Sequence, residues 1–231
     1  MGKQNMFFLH IIEAMRQRTT FYSRLFAKAY DPIMRSFEAK VLQKRRQHLL
    51  ANIQGTVLEI GAGTGANLPY YPPTAEILAI EPSAPMLRIA QSKLSDESAA
   101  AQVILLHSGI DDAELEKHFP AEGFDAVVCT LVLCTVPDLE AAIGNIKKWL
   151  KPSGRLYVLE HICSDKPIKR FWQHFINPFW RHLAEGCNLT RHTDAMLKAH
   201  GFQPEWEKYE TKGGIRLYAA VLSHRNSEIE P

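Results

Sequence analysis

The chain has 231 residues, of which 46% are hydrophobic and 23% charged, and its formal net charge is +2. These ordinary values indicate one soluble globular domain with a buried core and exclude a low-complexity chain. Its four cysteines show no C-x-x-C spacing and its ten histidines form no H-E-x-x-H motif. We therefore expect reduced, buried thiols, a reducing compartment and no metal site.

The basic residues are concentrated in the first 54 residues, which carry ten Lys and Arg against three Asp and Glu. The rest of the chain is net acidic, so no nucleic-acid-binding surface is indicated. This asymmetry divides the chain into an N-terminal helical arm over 1–54, a main domain over 55–223 and a C-terminal tail over 224–231.

Apolar residues recur every three or four positions over 6–29 and predict an amphipathic helix. Its apolar run is far too short to span a bilayer, and no signal-peptide cleavage site follows it. Two interpretations stay open: residues 1–30 lie on an anionic membrane surface, or the helix packs as a lid over a ligand cleft. Asp31-Pro32 predicts a break, followed by a second basic helix over 33–52.

Strands and helices then alternate, which predicts a Rossmann-like α/β fold. We expect a seven-stranded, mostly parallel sheet with helices on both faces and one antiparallel strand near the C-terminus. The predicted strands cover 56–60, 76–80, 102–107, 126–131, 155–160, 203–210 and 215–222, with a turn at 151–154. The predicted helices cover 85–95, 139–150, 169–183 and 193–200.

A glycine loop, residues 61–65, follows the first predicted strand. Its three glycines let the backbone turn tightly and approach a ligand closely. The helix predicted behind the loop would offer free N–H groups, so the two features together predict a ligand site. Gly61, Gly63 and Ala66 fit the dinucleotide pattern G-x-G-x-x-A. With Glu59 ahead, the loop also fits E-x-G-x-G-x-G. A carboxylate beside a pyrophosphate is unfavourable, whereas it attracts a ligand's ammonium group. Alternatively, Glu59 caps the amides of the loop itself.

Three further segments reach the same edge of the predicted sheet, where open parallel sheets bind ligands. Glu81 ends the second strand, where its carboxylate can accept hydrogen bonds from ribose hydroxyls. Residues 108–111 follow the third strand, and residues 129–131 follow the fourth.

As a set, these motifs resemble the class I S-adenosylmethionine (SAM) methyltransferases. Glu59 with the glycine loop resembles motif I, Glu81 the acidic end of strand two, Ile110-Asp111 the adenine-side segment, and residues 150–156 the "LKPGG-x-L" turn. The resemblance implies SAM as cofactor. It assigns cofactor binding to Tyr22, Tyr30, Glu59, Gly61, Ala62, Gly63, Gly65, Asn67, Glu81, Pro82, Met86, Gly109, Ile110, Asp111, Thr130 and Leu131.

Three segments, residues 127–134, 160–161 and 171–191, resemble the membrane-associated alkyl-thiol S-methyltransferases. That resemblance implies methyl transfer to a small, rather apolar thiol. Residues 21–70 also resemble phospholipid and aminolipid N-methyltransferases, in which an amphipathic helix touches the membrane. We expect a cytoplasmic protein. If the resemblance to the lipid N-methyltransferases holds, we expect it to lie peripherally on the inner face of the membrane.

His161 is the candidate catalytic base, because a histidine at the cofactor edge can titrate near neutral pH. The alternative is a structural histidine in a turn. Glu160 either orients His161 or caps the strand. The candidate substrate-binding residues are Trp172, Cys187, Asn188 and Arg191, and the alternative for the last three is a turn before the helix at 193.

The segment 166–180 mixes aromatic and basic residues and suits a packed insertion, a membrane interface or the roof of an apolar pocket. Three functions are thus carried forward: a thiol S-methyltransferase, a lipid N-methyltransferase, and a SAM-binding regulatory protein without turnover. An NAD-dependent oxidoreductase is remote.

Overall fold

A computed structural model of the chain describes residues 21–96 and 101–224. Its core is one seven-stranded sheet with the order β3-β2-β1-β4-β5-β7-β6. The first five strands run parallel, and β7 is antiparallel to both of its neighbours. The predicted Rossmann-like fold is therefore confirmed. The strands are β1 (Gly55–Ile60), β2 (Ala75–Ile80), β3 (Gln102–Leu106), β4 (Phe124–Thr130), β5 (Leu150–Ile162), β6 (Phe202–Lys212) and β7 (Ile215–His224).

Helices cover both faces of the sheet. The described part of the N-terminal arm is α1 (21–37), a π-helical turn (Glu38–Leu42) and α2 (Gln43–Leu50). The others are α3 (Ala84–Asp96), α4 (Leu139–Trp149), α5 (Pro167–Leu183) and α6 (Thr193–Ala199), with short 3-10 turns at Leu68–Tyr70 and Leu115–His118. Within residues 21–96 and 101–224, no helix is long and apolar enough to span a membrane.

Two hydrophobic layers flank the sheet, because its central strands are apolar on both sides. One layer packs α4 and α6 against β4, β5 and β7. The other packs α2 against β1 and β2. Four consecutive residues of β1, from Val57 to Ile60, are buried. The ends of β1 to β4 are thereby held rigidly at one edge, where the loops that carry the candidate residues emerge.

Four local predictions are wrong. The helix does not break at Asp31-Pro32, since α1 runs unbroken from 21 to 37. Asp31 accepts a hydrogen bond from the Thr64 hydroxyl (2.6 Å) and pairs with Lys93 (2.7 Å). We attribute the continuity to these contacts, which outweigh the hydrogen bond lost at proline. The irregularity lies instead in the π-helical turn at Glu38–Leu42.

The glycine loop is followed by turns and the short helix Leu68–Tyr70 instead of an α-helix, because three prolines between 69 and 73 interrupt helical hydrogen bonding. His161 lies inside β5, not after it, and its register partner is Leu217. The turn expected at 151–154 is an irregularity within β5, where the register with β4 shifts.

Arg46 of α2 joins the arm to the sheet through a buried polar network. Its guanidinium is 4% exposed and pairs with Glu38 (2.9 Å) in the π-helical turn. One of its nitrogens also donates to the side-chain oxygens of Asn67 (2.6 Å) and Thr130 (2.8 Å). Asn67 in turn donates to Glu59 (2.8 Å). One cation therefore connects the arm to the loops after β1 and β4.

Replacing Arg46 with Ala should destabilise the fold by about 3–5 kcal/mol, because it leaves the buried Glu59 carboxylate without its nearby cation. The matched control is Lys44→Ala, which removes an exposed cation from the same helix and should change the free energy of unfolding by less than about 0.5 kcal/mol. Urea denaturation followed by circular dichroism measures both. Equal losses in the two variants would contradict the role assigned to Arg46.

Candidate functional site

The glycine loop turns sharply after β1. Gly61, Gly63 and Gly65 all have positive φ, at 71°, 57° and 80°. A Cβ on Gly61 would come within 2.3 Å of the Val132 side chain, so the loops after β1 and β4 meet there. At Gly63 an added Cβ would meet no atom within 4 Å. The loop therefore packs closely on one side and leaves open space beside Gly63.

The amides of this loop are mostly occupied within the protein. The N–H groups of Gly61 and Ala62 both donate to the carbonyl of Ile80 (2.9 and 3.0 Å). The N–H of Gly63 donates to Glu81 (2.8 Å), and that of Gly65 donates to the carbonyl of Ala62 (2.8 Å). A pyrophosphate needs free amides at a helix N-terminus. The loop, with these four amides occupied and no α-helix behind it, disfavours a dinucleotide.

Glu59 lies beneath the loop and is 1% exposed. Its carboxylate accepts hydrogen bonds from the Asn67 amide (2.8 Å) and the Tyr71 hydroxyl (3.0 Å). Burial raises the pKa of Glu59, while these two hydrogen bonds and the charge of Arg46 oppose the rise. The alternative in which Glu59 caps the loop amides is wrong, because Glu81 does so at Gly63. The attraction of Glu59 for a ligand's ammonium group stays a prediction.

Glu81 ends β2 at the same edge of the sheet and is 7% exposed. Its two carboxylate oxygens accept one backbone hydrogen bond each, from Gly63 and from Ser83 (both 2.8 Å). Burial raises the pKa of Glu81. Since a carboxylate has about four lone-pair sites, each oxygen keeps the capacity for a further donor such as a ribose hydroxyl. The geometry thus suits the role that the sequence predicts.

The remaining candidate cofactor residues follow β2, β3 and β4 at the same edge of the sheet. The Pro82 carbonyl contacts His107 (2.9 Å), and a Cβ on Gly109 would lie 3.8 Å from Pro82, so the loops after β2 and β3 are adjacent. Met86 is buried in α3, Ile110 is half-buried and Asp111 is exposed. Thr130 ends β4 and accepts hydrogen bonds from Arg46 and Asn67. Leu131 follows it with an unusual φ of 55°.

The described part of the arm lies over this edge of the sheet. The Tyr22 hydroxyl donates to the carbonyl of Leu183 (2.6 Å) at the end of α5, and Ser23 contacts Glu185. Tyr30 lines a cavity of about 550 Å³ together with Gly65, and burial raises its pKa to about 12. The position of α1 agrees with the lid interpretation for residues 21–30. The rest of the predicted membrane-surface segment, residues 1–20, lies outside the described residues.

A cluster of Cys134, His161 and Cys187 lies next to the loop after β4. The sulfur of Cys187 is 3.0 Å from Nε2 of His161, and Cys187 is also hydrogen-bonded to Cys134. The three ligand atoms all lie within 4.8 Å of one another. These residues are far apart in the sequence. The expectation of no metal site rested on the absence of C-x-x-C and H-E-x-x-H motifs, and it loses that basis because the fold brings two cysteines and a histidine together.

The cluster has a strongly perturbed proton balance. The hydrogen bond from Cys134 and those from His161 and Trp180 hold the pKa of Cys187 well below its ordinary value. The shared proton and burial raise the pKa of Cys134. Burial alone would lower the pKa of His161, but the hydrogen bond and charge of Cys187 outweigh it and raise that pKa. The hydrogen bond between Cys187 and His161 therefore shifts the two pKa values in the directions that favour a thiolate beside an imidazolium.

Glu160 is fully buried and holds the loop that carries Cys134. One of its oxygens accepts the backbone N–H groups of Val132 and Leu133 (both 2.8 Å). Its other oxygen has no hydrogen-bond partner among the described residues. Burial raises the pKa of Glu160 to about 7. Glu160 therefore caps the loop after β4, in line with the alternative that gave it a capping role. Its second oxygen is a buried acceptor with no hydrogen bond among the described residues.

Two of the predicted substrate residues hold the turn around Cys187. The Asn188 side-chain oxygen accepts hydrogen bonds from the backbone N–H and the hydroxyl of Thr190 (3.0 and 2.8 Å), and the Asn188 backbone N–H donates to the carbonyl of Cys134 (3.0 Å). Arg191 donates to the carbonyl of Leu133. These contacts tie the turn to the loop after β4. Asn188 therefore has the turn-forming role that the alternative gave it, and the arrangement of the cluster depends on both Asn188 and Arg191.

The structure does not bring Trp172 to the cluster. This residue is 53% exposed on the outer face of α5, between Phe171 and Phe175. The α5 aromatic that reaches Cys187 is Trp180, through a side-chain hydrogen bond. A helical repeat places Trp180 about 80° further round the helix than Trp172. The sequence contained this signal, because Gln173, Asn177 and Trp180 share one helical stripe.

The residues at this edge fit SAM. The cofactor's ribose needs acceptors such as the Glu81 carboxylate, and a bulky ligand needs open space such as that beside Gly63. Its amino acid portion carries a cation, and Glu59 and Glu81 give the edge negative charge. No pyrophosphate has to be accommodated, so the occupied loop amides are not a disadvantage.

Comparisons with known proteins agree with this geometry. A family described as "Methyltransferase domain" matches residues 58–158. Thiol S-methyltransferase TMT1A of Homo sapiens is 30% identical over 171 residues, which cover 70% of this chain and 68% of that protein. Phosphatidylethanolamine N-methyltransferase of Cereibacter sphaeroides is 30% identical over 130 residues, covering 55% and 62% of the two chains.

Solved structures share the fold. A structure of an O-methyltransferase family protein from Burkholderia thailandensis superposes with a TM-score of 0.65 at 14% identity, covering 87% of this chain and 60% of that one. Together with the glycine loop and the carboxylate after β2, these similarities identify the cofactor as SAM and the protein as an enzyme. The chain belongs to the class I SAM-dependent methyltransferases.

Proposed function

We propose that the protein transfers a methyl group from SAM to the sulfur of a small, apolar thiol. The observation that carries this proposal is a convergence in space. The three segments that resemble thiol S-methyltransferases supply Cys134, His161 and Cys187, respectively, and these side chains form one cluster beside the cofactor edge. The similarity to TMT1A supports the same acceptor.

The cofactor supplies an electrophilic methyl group on a positively charged sulfur. The task of the chain is to hold a thiol in line with that group, to exclude water and to favour the thiolate, because a free thiol is only a few per cent ionised at pH 7. The cluster provides an imidazole, Arg191 and the buried Glu160 around the acceptor position. His161 is engaged with Cys187, so we propose that it acts on the thiol as part of this cluster.

The first test is a panel of straight-chain thiols incubated with the purified protein and SAM. We expect methyl thioether products, with kcat/KM rising about fourfold for each added methylene between ethanethiol and butanethiol, because each buried CH2 contributes about 0.8 kcal/mol. Mass spectrometry of the products measures the rates, and butanol is the matched acceptor without sulfur. Turnover of an amine or a lipid, with no thioether from any thiol, would contradict the proposal.

A second candidate is a lipid N-methyltransferase. The similarity to phosphatidylethanolamine N-methyltransferase and the unusual surface of α5 favour it. The thiol panel separates the two candidates when phosphatidylethanolamine vesicles are included as a further acceptor. A third candidate, a regulatory protein that binds SAM without turnover, predicts a tightly bound cofactor and no product from any of these acceptors.

We further propose that the enzyme works at an anionic membrane surface and contacts it through α5 as well as the arm. Two uncharged polar residues of α5 face the protein: Gln173 accepts a hydrogen bond from the Ser164 amide (2.8 Å), and Asn177 accepts one from the Leu189 amide (2.8 Å). Its apolar residues face outward. The outer surface consists of Ile168, Phe171, Trp172, Phe175, Ile176, Phe179 and Leu183, each at least 43% exposed.

This orientation is the reverse of that expected for a surface helix in water. Helix α5 carries Lys169, Arg170 and Arg181 and no acidic residue. Phe21 and Leu25 of α1 are also exposed, and Tyr22 links the two helices through Leu183. An apolar face with basic residues and no acids suits the headgroup region of an anionic bilayer. Apolar thiols dissolve in that bilayer, so the surface also suits the proposed acceptor.

The variant Phe175→Asp/Phe179→Asp should bind vesicles of phosphatidylcholine and phosphatidylglycerol about 100-fold more weakly than the wild type, because each inserted Phe contributes about 1.5–3 kcal/mol. The matched control is Ile104→Asp, which adds a charge at an apolar residue 67% exposed on β3. Co-sedimentation at low and high salt measures binding. Unchanged binding in the double variant, or equal losses in the two variants, would rule out α5 as the contact.

A further inference from the structure

We propose that Cys134, His161 and Cys187 bind a zinc ion and leave its fourth position for the sulfur of the methyl acceptor. The metal site stands on the geometry of the cluster. The identity of the fourth ligand rests on the proposed thiol S-methyltransferase function.

The three side chains have the spacing of a tetrahedral zinc site. With Zn–S bonds of about 2.3 Å and Zn–N bonds of about 2.0–2.1 Å, tetrahedral ligands lie about 3.6 Å (S to N) and about 3.8 Å (S to S) apart. In the structure the sulfur of Cys187 is 3.0 Å from Nε2 of His161, and all three ligand atoms lie within 4.8 Å of one another. Shifts of well under 1 Å at the closest pair open the cluster to that geometry.

The ligand types also select zinc. Two thiolates and one imidazole form a soft donor set that suits Zn²⁺ and does not suit Mg²⁺ or Ca²⁺. Three protein ligands with an open fourth position are typical of catalytic zinc sites, whereas structural sites have four. Among the described residues, this is the group of His, Cys, Asp and Glu side chains that could hold a metal ion.

Rigid elements hold the three ligands. His161 lies in β5 and is paired with Leu217 of β7, in the last residue pair but one of that ladder. Cys134 is 1% exposed, in a loop whose amides are bound by Glu160. The backbone hydrogen bond between Asn188 and the carbonyl of Cys134 (3.0 Å) joins the turn of Cys187 to that loop. The ligands are therefore preorganised, as a metal centre requires.

Charge balance favours a thiolate as the fourth ligand. Zinc with two thiolates and a neutral imidazole has no net charge, so a bound substrate thiolate makes the centre an anion. The Arg191 guanidinium lies close enough to interact electrostatically with Cys134 and Cys187. It donates to the Leu133 carbonyl at the same loop, and its charge offsets that anion. A neutral amine gains no such benefit.

The chemistry is a ligand association without redox change. When the metal binds, Cys134 releases its thiol proton and the hydrogen-bonded pair of Cys187 and His161 releases the proton that it shares, both to solvent, which leaves two thiolates and a neutral imidazole. When the acceptor binds, its S–H bond breaks, the proton passes to buffer, and a sulfur lone pair forms the Zn–S bond. The acceptor is then held as a thiolate at neutral pH, so His161 acts as a ligand and no general base is needed.

Metal binding is measured first on the wild-type protein by itself. We expect one zinc per chain after dialysis against zinc followed by metal-free buffer. Cobalt(II) should bind at the same stoichiometry, with the thiolate-to-cobalt charge-transfer bands and tetrahedral visible bands of an S₂N site. Addition of butanethiol should change these bands, while butanol should not. No stoichiometric zinc or cobalt, or cobalt spectra without thiolate bands, would overturn the metal site.

Variants then assign the ligands. Cys134→Ser and Cys187→Ser should each weaken zinc binding at least about tenfold in competition with a chromophoric chelator. Cys129→Ala, at a buried cysteine of β4 outside the cluster, should leave it unchanged. Unchanged binding in both serine variants would overturn the assignment, and the wild-type spectra stand even where a variant does not fold.

The two proposals fail separately. Absence of stoichiometric metal together with methylation of thiols overturns the metal site and leaves the proposed function intact, and methylation at full rate by protein stripped of zinc overturns the acceptor sulfur as fourth ligand. Stoichiometric metal with thiolate bands that butanethiol does not change supports the metal site and overturns the fourth ligand.

Discussion

The site depends on the interactions of the buried Arg46 guanidinium. It is the cation between the Glu38 carboxylate in the arm and the Asn67 amide that holds Glu59 under the glycine loop. Taking these charges out of water is costly unless they are paired and hydrogen-bonded. The network meets that condition because each polar group has a partner of the right kind. Arm and loop are therefore fixed together through a buried cation.

The hydrogen bonds of the glycine loop distinguish between the two kinds of cofactor, a dinucleotide and SAM, that its sequence pattern fits. The loop amides from Gly61 to Gly63 are bound by the Ile80 carbonyl and by Glu81, so they do not form an anion site. The carboxylates beneath and beside the loop make the edge acidic instead. Negative charge at this edge is unfavourable for a pyrophosphate, and we expect it to attract the ammonium group of SAM. The occupied amides of the loop therefore disfavour a dinucleotide, while the attraction of the carboxylates for the methyl donor stays a prediction.

Much of the fold could be predicted from local sequence patterns. The buried strands β1, β2 and β4 are continuous apolar runs, and Glu81 comes directly after β2. The partners of Arg46 could not be predicted, since they lie 21 and 84 residues away. The cluster of Cys134, His161 and Cys187 was missed for the same reason, because sequence spacing reveals a metal site only when the ligands share one short motif. The sequence showed that the segment of α5 mixes aromatic and basic residues, but the direction in which its apolar face points depends on the tertiary contacts of Gln173 and Asn177.

We propose that the acceptor sulfur reacts at the cluster of Cys134, His161 and Cys187. The most direct measurement is transfer of a radiolabelled methyl group from SAM to butanethiol by the wild type and by Cys187→Ala, with SAM affinity measured in parallel by calorimetry. We expect a labelled thioether from the wild type. The rate of methyl transfer should be about 100-fold lower in the variant, while its affinity for SAM should change less than about twofold. Equal rates in the two proteins, or label found only in a lipid, would contradict it.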